Sequence, residues 1–176
     1  ATFCDIITIM SNISLPNPWG RPLVLPTERP AVTMQQLTIY DAPDYYDSWS
    51  RSAADIARFD PETVGMFDSV ENVEDSIYQL GSLVMATRDR DKFVASGSLR
   101  PNKKTGMWLL GIWTDSRETS KGYGTLTAQT LVNYAVGRFP LQAKVHNENT
   151  HCIHILEKTE LERTGRNVGV FSIFEQ

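Results

Sequence analysis

Hydrophobic positions follow two periods along the chain, and each period predicts one kind of element. Short apolar or alternating runs bounded by turn residues are typical of strands, whereas apolar residues repeated every three or four positions are typical of helices. Helices are predicted to begin at Asp41, at Ser69, near Thr125 and at Asn149 or Thr150. Strands are predicted at 31–37, 82–87, 92–99, 107–114 and 141–146, with a short strand, a Thr164–Gly165 turn and a last strand within 162–174.

Capping residues and prolines set the helix boundaries. Asp41 can cap the free N–H groups of the first helix, and Pro43 is tolerated in its first turn. This helix is expected to reach about residue 58, because Asp60-Pro61 breaks it. The clearest helix has apolar residues at i, i+1, i+4, i+5 and i+8, and Pro140 is expected to end it. Its apolar positions are Leu131, Val132, Ala135, Val136 and Phe139.

The order of the elements predicts how the strands pair. The three strands between 82 and 114 are joined by short turns, so they are expected to form an antiparallel meander. A helix joins the strands at 107–114 and 141–146, which makes this pair parallel and its crossover right-handed. Ligands favour points where parallel neighbours splay or the strand order changes. A ligand site is therefore predicted at this crossover.

Composition narrows the class of protein. At 176 residues the chain fits one ordinary domain, and a net charge of −4 without a Lys/Arg stripe argues against nucleic acid as a partner. No apolar run reaches the roughly 18 residues that a membrane span needs, and the start lacks a secretory pattern. Cys4 and Cys152 are too few for a disulfide framework or a zinc site. This count favours buried thiols and a cytoplasmic location.

Prolines divide the chain into an arm and a domain. Five of the nine prolines fall between positions 16 and 30, so residues 12–30 are expected to be extended, because proline fixes φ and cannot donate to a strand ladder. Residues 1–26 are interpreted as an N-terminal extension with this arm, and residues 27–176 as a single domain.

A loop with two glycines lies between the strand at 107–114 and the clearest helix. It reads Ser120-Lys121-Gly122-Tyr123-Gly124-Thr125. A strand, a glycine loop and a helix start in this order aim backbone N–H groups and the positive end of the helix dipole at one point. This arrangement predicts an anion site, although an ordinary turn gives the same pattern.

Five segments of the chain together match the pattern of one known family. They are LPTER at 25–29, LTIYDAPDYY at 37–46, ASGSLRPNKKTG at 95–106, LGIWTDSRETSKGYGT at 110–125 and HNENTHCIHILEK at 146–158. These segments resemble the Gcn5-related N-acetyltransferase (GNAT) superfamily, and most of all its ribosomal-protein N-terminal acetyltransferase branch. The resemblance implies an α/β fold in which a mixed sheet of about six to seven strands is flanked by helices, with its central strands splayed at the coenzyme site.

The resemblance implies acetyl-CoA as co-substrate. The family's pyrophosphate motif falls on Thr119 to Gly124, the strand before it runs beside the pantetheine arm, and Asn149 matches a family asparagine near that arm. Thr119 stands where the family has arginine or glutamine, and Lys121 could supply part of the missing charge. The implied coenzyme contacts are Ile112, Trp113, Thr114, Thr119, Ser120, Lys121, Gly122, Tyr123, Gly124, Thr125 and Asn149.

Acetyl transfer also needs a group that protonates or stabilises the leaving thiolate and a route for the proton of the amine. Cys152, which matches a family serine, is the candidate beside the thiolate, and Tyr123 is a more distant one. His146 and Glu148, at the end of the fifth strand, are candidate bases. His151 and His154 have a metal-ligand spacing, but no third ligand clusters nearby, so no metal is predicted.

The acceptor is expected to enter between the two early helices and the last hairpin. An acidic and aromatic rim there would suit a primary amine, such as a protein N-terminus or a small-molecule amine; a solvated surface over an aromatic core is the other interpretation. The residues concerned are Trp49, Phe59, Phe67, Asp60, Glu62 and Asp68.

Departures from the family pattern leave two other functions open. The chain has Ser120 for a usual glycine, Leu109 for a frequent glutamate, Thr159-Glu160-Leu161 for an apolar-Gly-Phe run, and a short tail. A degenerate member that acts as a binding or interaction module would show such changes. Coenzyme-dependent transfer to another nucleophile, such as a hydroxyl, is the third hypothesis, and a homodimer is a possible assembly.

Overall fold

A single mixed sheet organises the parts of the chain that the computed structural model describes, residues 21–77 and 81–176. Cys4, residues 12–20 of the predicted arm and Leu80 of the second helix lie outside these ranges. The strands are β1 (Val24–Leu25), β2 (Val32–Gln36), β3 (Leu83–Asp89), β4 (Lys92–Pro101), β5 (Trp108–Thr114), β6 (Leu141–His146), β7 (Glu162–Val168) and β8 (Phe171–Glu175). The helices are α1 (Ala42–Ala57), α2 (Pro61–Val64), α3 (Val70–Ile77), α4 (Tyr123–Ala135) and α5 (Thr150–Leu156).

The sheet has the order β1-β2-β3-β4-β5-β6-β8-β7. The strands β3, β4 and β5 form the predicted antiparallel meander, and β5 and β6 form the predicted parallel pair joined through α4. The fold class is confirmed, and the described sheet has eight strands rather than six or seven. The additional edge strand is β1, two residues of the proline-rich segment that pair with β2.

The parallel pair separates early. Its ladder consists of Trp108↔Leu141, Leu109↔Gln142 and Leu110↔Ala143, although β5 continues to Thr114 and β6 to His146. On its other edge β6 stays paired with β8 over its whole length. Beyond Leu110 and Ala143 the two strands therefore open into a V, which is the splay that the crossover predicts.

Two helices cover opposite faces of the sheet. Successive residues of a strand point to opposite faces, and Met85 packs in a cluster with Leu131 of α4, whereas Ala86 packs in a cluster with Tyr45 of α1. The helix α4 approaches β4 closely because Gly97 has no side chain. A Cβ at Gly97 would lie 2.4 Å from Leu131 Cδ1.

Three local predictions were wrong in detail. Asp41 precedes α1, but its carboxylate accepts hydrogen bonds from the amide and hydroxyl of Thr38 instead of from the helix. The helix α4 ends at Ala135, and the chain turns at Gly137, where φ is +72°, before it reaches Pro140. The last hairpin turns after Val168, while the predicted Thr164–Gly165 turn is an irregularity inside β7.

Candidate active site

The V between β5 and β6 is the mouth of a cleft of about 620 Å³. One wall comes from α1, the segment after it and the aromatic residues of the sheet, and the other from β6, α5 and Phe171. The predicted site residues that line this cleft are Ile112, Trp113, Thr114, Thr119, His146, Asn149 and Cys152. Thus residues predicted for coenzyme binding and for catalysis share one cavity.

The glycine loop at 119–124 leads into α4; its first residue, Thr119, lines the cleft, whereas residues 120–125 are not part of the cleft wall. Ser120 and Gly122 both have left-handed backbone, with φ of +62° and +83°. The first hydrogen bond of the helix runs from the Leu126 amide to the Gly122 carbonyl at 3.0 Å. The amides of Tyr123, Gly124 and Thr125 precede it, so they have no acceptor within the helix. This is the geometry of an anion site at a helix N-terminus.

Gly124 fixes the helix start against two neighbouring elements. A Cβ at this position would lie 2.9 Å from Thr114 Oγ1 and 3.1 Å from Ile155 Cδ1. The end of β5, the start of α4 and the helix α5 therefore meet where a side chain would not fit. The loop is held next to the strand on one side and the Cys152 helix on the other.

The lysine of the loop, Lys121, is paired with a buried carboxylate. Glu118 is 4% exposed and pairs with Lys92 and with Lys121, whose Nζ lies 2.9 Å from Oε2. The hydrogen bonds from Lys92 and Lys121 hold the pKa of Glu118 below its ordinary value. Glu118 is shared between two lysines, so it compensates the charge of Lys121 only in part, and this pairing makes the lysine a weaker replacement for the missing cation at Thr119 than the sequence suggests.

Asp115 ties the loop to α1, and sequence analysis missed it. Its buried carboxylate accepts from Ser48 Oγ at 2.6 Å, from Arg51 Nη2 at 2.7 Å and from the Arg117 amide at 2.9 Å. Burial alone raises the pKa of Asp115, but these hydrogen bonds outweigh burial and hold the pKa below its ordinary value. Ser48 and Ser52, four residues apart on α1, both hold this segment against the helix, because Ser52 Oγ accepts from the Ser116 amide.

Cys152 lies half-buried on α5 and lines the cleft. The side chain of Asn149 caps this helix, since its Oδ1 accepts from the Cys152 amide at 3.1 Å. Burial raises the pKa of the Cys152 thiol to about 11. The group is therefore a neutral S–H donor near pH 7, not a thiolate.

His146 is held between two aromatic rings. Its ring centroid lies 5.8 Å from that of Phe59 and 5.7 Å from that of Phe171. Its Nδ1 accepts from the Glu148 amide at 3.2 Å, so the neutral ring carries its hydrogen on Nε2. Glu148 itself is exposed in the turn after β6, and its side chain is not part of the cleft wall.

Tyr123 does not face the cleft. Its hydroxyl donates to Asp89 at the end of β3, and this hydrogen bond is the main reason that the pKa of Tyr123 is raised. The ring packs with Val32, Val94 and Leu126 under the helix start. The hypothesis that Tyr123 protonates the thiolate is therefore wrong, although its amide remains part of the loop.

The aromatic residues predicted for the acceptor side are mostly core. Trp49 is 3% and Phe67 is 7% exposed, and their ring centroids lie 5.0 Å apart in an edge-to-face contact. Both still line the cleft, as do Phe59 and Asp60. Asp60 also caps α2, because it accepts from the Thr63 amide. Glu62 and Asp68 are exposed and are not part of the cleft wall.

A model of the acetyltransferase (GNAT) domain matches residues 31–162, three quarters of the chain and all the elements of the cleft described above apart from Phe171. The chain belongs to this family. Acetyl-CoA is the co-substrate of such domains and N-acetyl transfer is their reaction, so the family and the chemistry predicted from the sequence are confirmed. No curated protein matches the chain in sequence.

Solved structures of acetyltransferases share this fold. A ribosomal-protein-S5-alanine acetyltransferase from Vibrio fischeri is 12% identical, with 88% of this chain and 96% of that one covered and a TM-score of 0.74. RimL, a ribosomal L7/L12 α-N-protein acetyltransferase in a complex with coenzyme A that contains a CoA–cysteine disulfide, is 12% identical, with coverage of 88% and 97% and a TM-score of 0.71. The microcin C7 self-immunity acetyltransferase MccE, in complex with acetyl-CoA and AMP, is 14% identical, with coverage of 84% and 93% and a TM-score of 0.68. At such identities the likeness shows the fold alone.

The described residues contain neither a candidate metal centre nor a membrane-spanning helix. No cluster of three or more His, Cys, Asp or Glu side chains within 21–77 and 81–176 could bind a metal ion. Over the same ranges, every helix is too short or too polar to cross a bilayer.

The Asp115 network predicts an acid-dependent stability. Because its pKa is lowered in the folded state, Asp115 stabilises the fold fully above the unfolded-state pKa of about 3.9. This stabilisation is lost as the pH falls through the lower folded-state pKa. We expect Asp115→Asn to reduce the free energy of unfolding by about 1–3 kcal/mol at pH 7, and the difference from wild type to shrink in acid. Urea titrations from pH 7 to pH 2.5 measure this, with the exposed Asp75→Asn as control. An unchanged difference in acid would contradict it.

The left-handed backbone of Gly122 predicts a selective loss of coenzyme binding. Gly122→Val places a β-branched side chain at φ +83°, where the loop amides must converge. Gly137→Val carries a similar strain at φ +72°, just after α4, with no neighbour within 4 Å of its Cβ. Each change should add about 1–2 kcal/mol of backbone strain, and Gly122→Val should lower the melting temperature somewhat more, because its Cβ would lie 2.6 Å from Arg29 Nη2. Coenzyme A binding should weaken only in Gly122→Val. Calorimetric titration decides this. Intact affinity with a collapsed melting temperature in Gly122→Val would make the loop structural.

Proposed function

We propose that the protein acetylates a primary amine by direct transfer from acetyl-CoA bound in the V between β5 and β6. The observation that supports this most is that Thr119 at the start of the loop, the open end of β5 and Cys152 line one cleft. The acceptor would be the N-terminus of a protein or a small-molecule amine that enters from the side of α1 and α2.

The residues present fit acetyl-CoA. The amides at the start of α4, which have no acceptor within the helix, suit a pyrophosphate. Beyond Leu110 the backbone of β5 has no partner strand on the side of β6, so its polar groups are available to the amides of a pantetheine arm. When bound, acetyl-CoA supplies the acetyl group as an activated thioester.

The protonation state of Cys152 supports direct transfer. With a pKa of about 11, only about one thiol in 10⁴ is ionised at pH 7, so Cys152 is a poor nucleophile. Its S–H group is instead suited to donate to the sulfur that leaves the acetyl group. The RimL complex contains a disulfide between a cysteine and coenzyme A, and Cys152 would be similarly close to the coenzyme sulfur.

The proton of the amine would leave through water. His146 lines the cleft and has its Nδ1 occupied by the Glu148 amide, so its Nε2–H would be the group that orients a water molecule or the acceptor. Glu148, exposed in the turn, would act on the proton only through solvent. Both residues remain predictions as bases, and the frequent family glutamate is replaced by Leu109, which lines the cleft without a titratable group.

The acceptor site would combine an aromatic wall with acidic groups at its mouth. Phe59 is half-buried with the Arg58 guanidinium over its ring, while Asp55 and Asp60 are exposed at the rim. The two carboxylates would attract a cationic amine, and the cations Arg58, Arg100 and Lys144, which line the same cleft, would oppose it. A homodimer, a cytoplasmic location and the absence of nucleic-acid and membrane partners remain predictions of the sequence.

Binding and product analysis together test this function. We expect acetyl-CoA to raise the melting temperature in a saturable manner, because a ligand that binds only the folded state stabilises it. Incubation with peptides that carry free N-termini and with a panel of small amines should give products heavier by one acetyl group. Binding without any product would support a degenerate binding module, esters would support a hydroxyl acceptor, and no shift at millimolar acetyl-CoA would overturn the proposal.

If Cys152 donates its proton to the leaving sulfur, its substitution should lower kcat but leave KM for acetyl-CoA unchanged, and the wild-type protein should carry no acetyl group. Cys152→Ala should lower kcat by about 10²-fold, a usual contribution of a general acid, while KM for acetyl-CoA changes little. Cys152→Ser should retain more activity, because a hydroxyl can also donate to the leaving sulfur. Intact mass during turnover should show no acetylated wild-type protein. An acetyl adduct on Cys152 with an initial burst of product would contradict direct transfer.

A further inference from the structure

Arg29 lies in the turn between β1 and β2, far from the glycine loop in sequence. The turn is fixed by its own hydrogen bonds, since Thr27 Oγ1 donates to the Val32 carbonyl at 2.7 Å and the Val32 amide donates to the Arg29 carbonyl at 2.8 Å. The side chain of Arg29 leaves this rigid turn and reaches across to the start of α4. Arg29 belongs to the LPTER segment, for which the sequence predicts a place in the fold but no chemical role.

The guanidinium of Arg29 packs directly on the loop. Its Nη1 donates to the Lys121 carbonyl at 2.9 Å, and its carbon lies 5.7 Å from the centroid of the Tyr123 ring. A Cβ at Gly122 would lie 2.6 Å from Nη2. The glycine therefore serves two purposes, because it adopts the left-handed backbone and leaves room for this guanidinium.

Ion pairing distinguishes Arg29 from the two lysines near the loop. Lys92 and Lys121 are both paired with Glu118. Among the described residues no carboxylate lies within ion-pair distance of Arg29, and one loop carbonyl accepts from its Nη1. A guanidinium has five N–H donors in a planar fork that matches phosphate oxygens. Arg29 thus places an uncompensated cation with free donors beside the amides at the start of α4.

We propose that Arg29 binds the pyrophosphate of acetyl-CoA, in place of the cation that position 119 lacks. This inference rests on the proposed coenzyme site and assigns to it a residue from another part of the fold. The phosphate would be held between the loop amides and the guanidinium, and the hydrogen bond to the Lys121 carbonyl positions the guanidinium before the coenzyme arrives.

Variants and coenzyme fragments test this assignment. Arg29→Gln removes the charge, and Arg29→Lys keeps the charge without the planar set of N–H donors. Arg21→Gln removes an equal charge elsewhere in the proline-rich arm. Affinities are measured by calorimetry for coenzyme A, 3′-dephospho-coenzyme A and S-acetylpantetheine. We expect Arg29→Gln to bind coenzyme A and 3′-dephospho-coenzyme A about tenfold more weakly than wild type, which is about 1.4 kcal/mol. Its affinity for S-acetylpantetheine, which has no pyrophosphate, should equal that of wild type. Arg29→Lys should fall between, and Arg21→Gln should match wild type.

The outcomes separate this inference from the proposed function. A loss confined to coenzyme A and absent for the 3′-dephospho form would place Arg29 on the 3′-phosphate and overturn the pyrophosphate assignment. Equal losses for all three ligands, or a loss as large in Arg21→Gln, would make the effect structural or merely electrostatic and also overturn it. Unchanged affinities in an active Arg29→Gln would refute the role of Arg29 alone. A wild-type protein that binds none of the ligands would instead refute the coenzyme site.

Discussion

The early separation of β5 and β6 is the constraint on which the rest of the molecule depends. A buried strand edge must find partners for its amides and carbonyls, and after three pairs β6 no longer provides them to β5. The opposite edges of both strands stay paired with β4 and β8, so the sheet opens without coming apart. This leaves a gap lined by backbone N–H and C=O groups, which can form hydrogen bonds with an extended molecule that carries amides.

Close packing keeps the gap in shape. Gly97 allows α4 to lie against β4, and Gly124 allows the start of α4 to lie against Thr114 and Ile155. Protein interiors are packed nearly as densely as organic crystals, so elements that meet without side chains between them have few alternative positions. The anion loop therefore needs little reorganisation to receive a ligand, which lowers the entropic cost of binding.

The sequence allowed prediction wherever a short segment determines its own structure. Leu131, Val132 and Ala135 predicted the face of α4 that is fully buried, and the connection through α4 predicted the parallel pair. Gly122 has the left-handed backbone that glycine favours, whereas Ser120 has it without a glycine to indicate it. These features depend on period, turn chemistry and the handedness of crossovers, all of which are local rules.

The rest depends on contacts between residues distant in sequence. Arg29 meets the loop 92 residues away, and Asp115 meets Ser48 67 residues away, so neither contact leaves a local pattern. The sequence makes Tyr123 a distant candidate for protonating the leaving thiolate, but its hydroxyl donates to Asp89 instead. The Thr164–Gly165 prediction failed because a glycine with positive φ suits an irregular strand as well as a turn.

The Asp115 network has a consequence for how two substrates would share this protein. The helix α1 forms a wall of the acceptor side, and through Ser48, Arg51 and Ser52 the same helix holds the segment that leads into the anion loop. A shift of α1 on binding an acceptor would therefore also move the residues that lead into the loop. If the two sites are coupled in this way, thermodynamic reciprocity requires that the effect of the acceptor on coenzyme affinity equals the effect of the coenzyme on acceptor affinity.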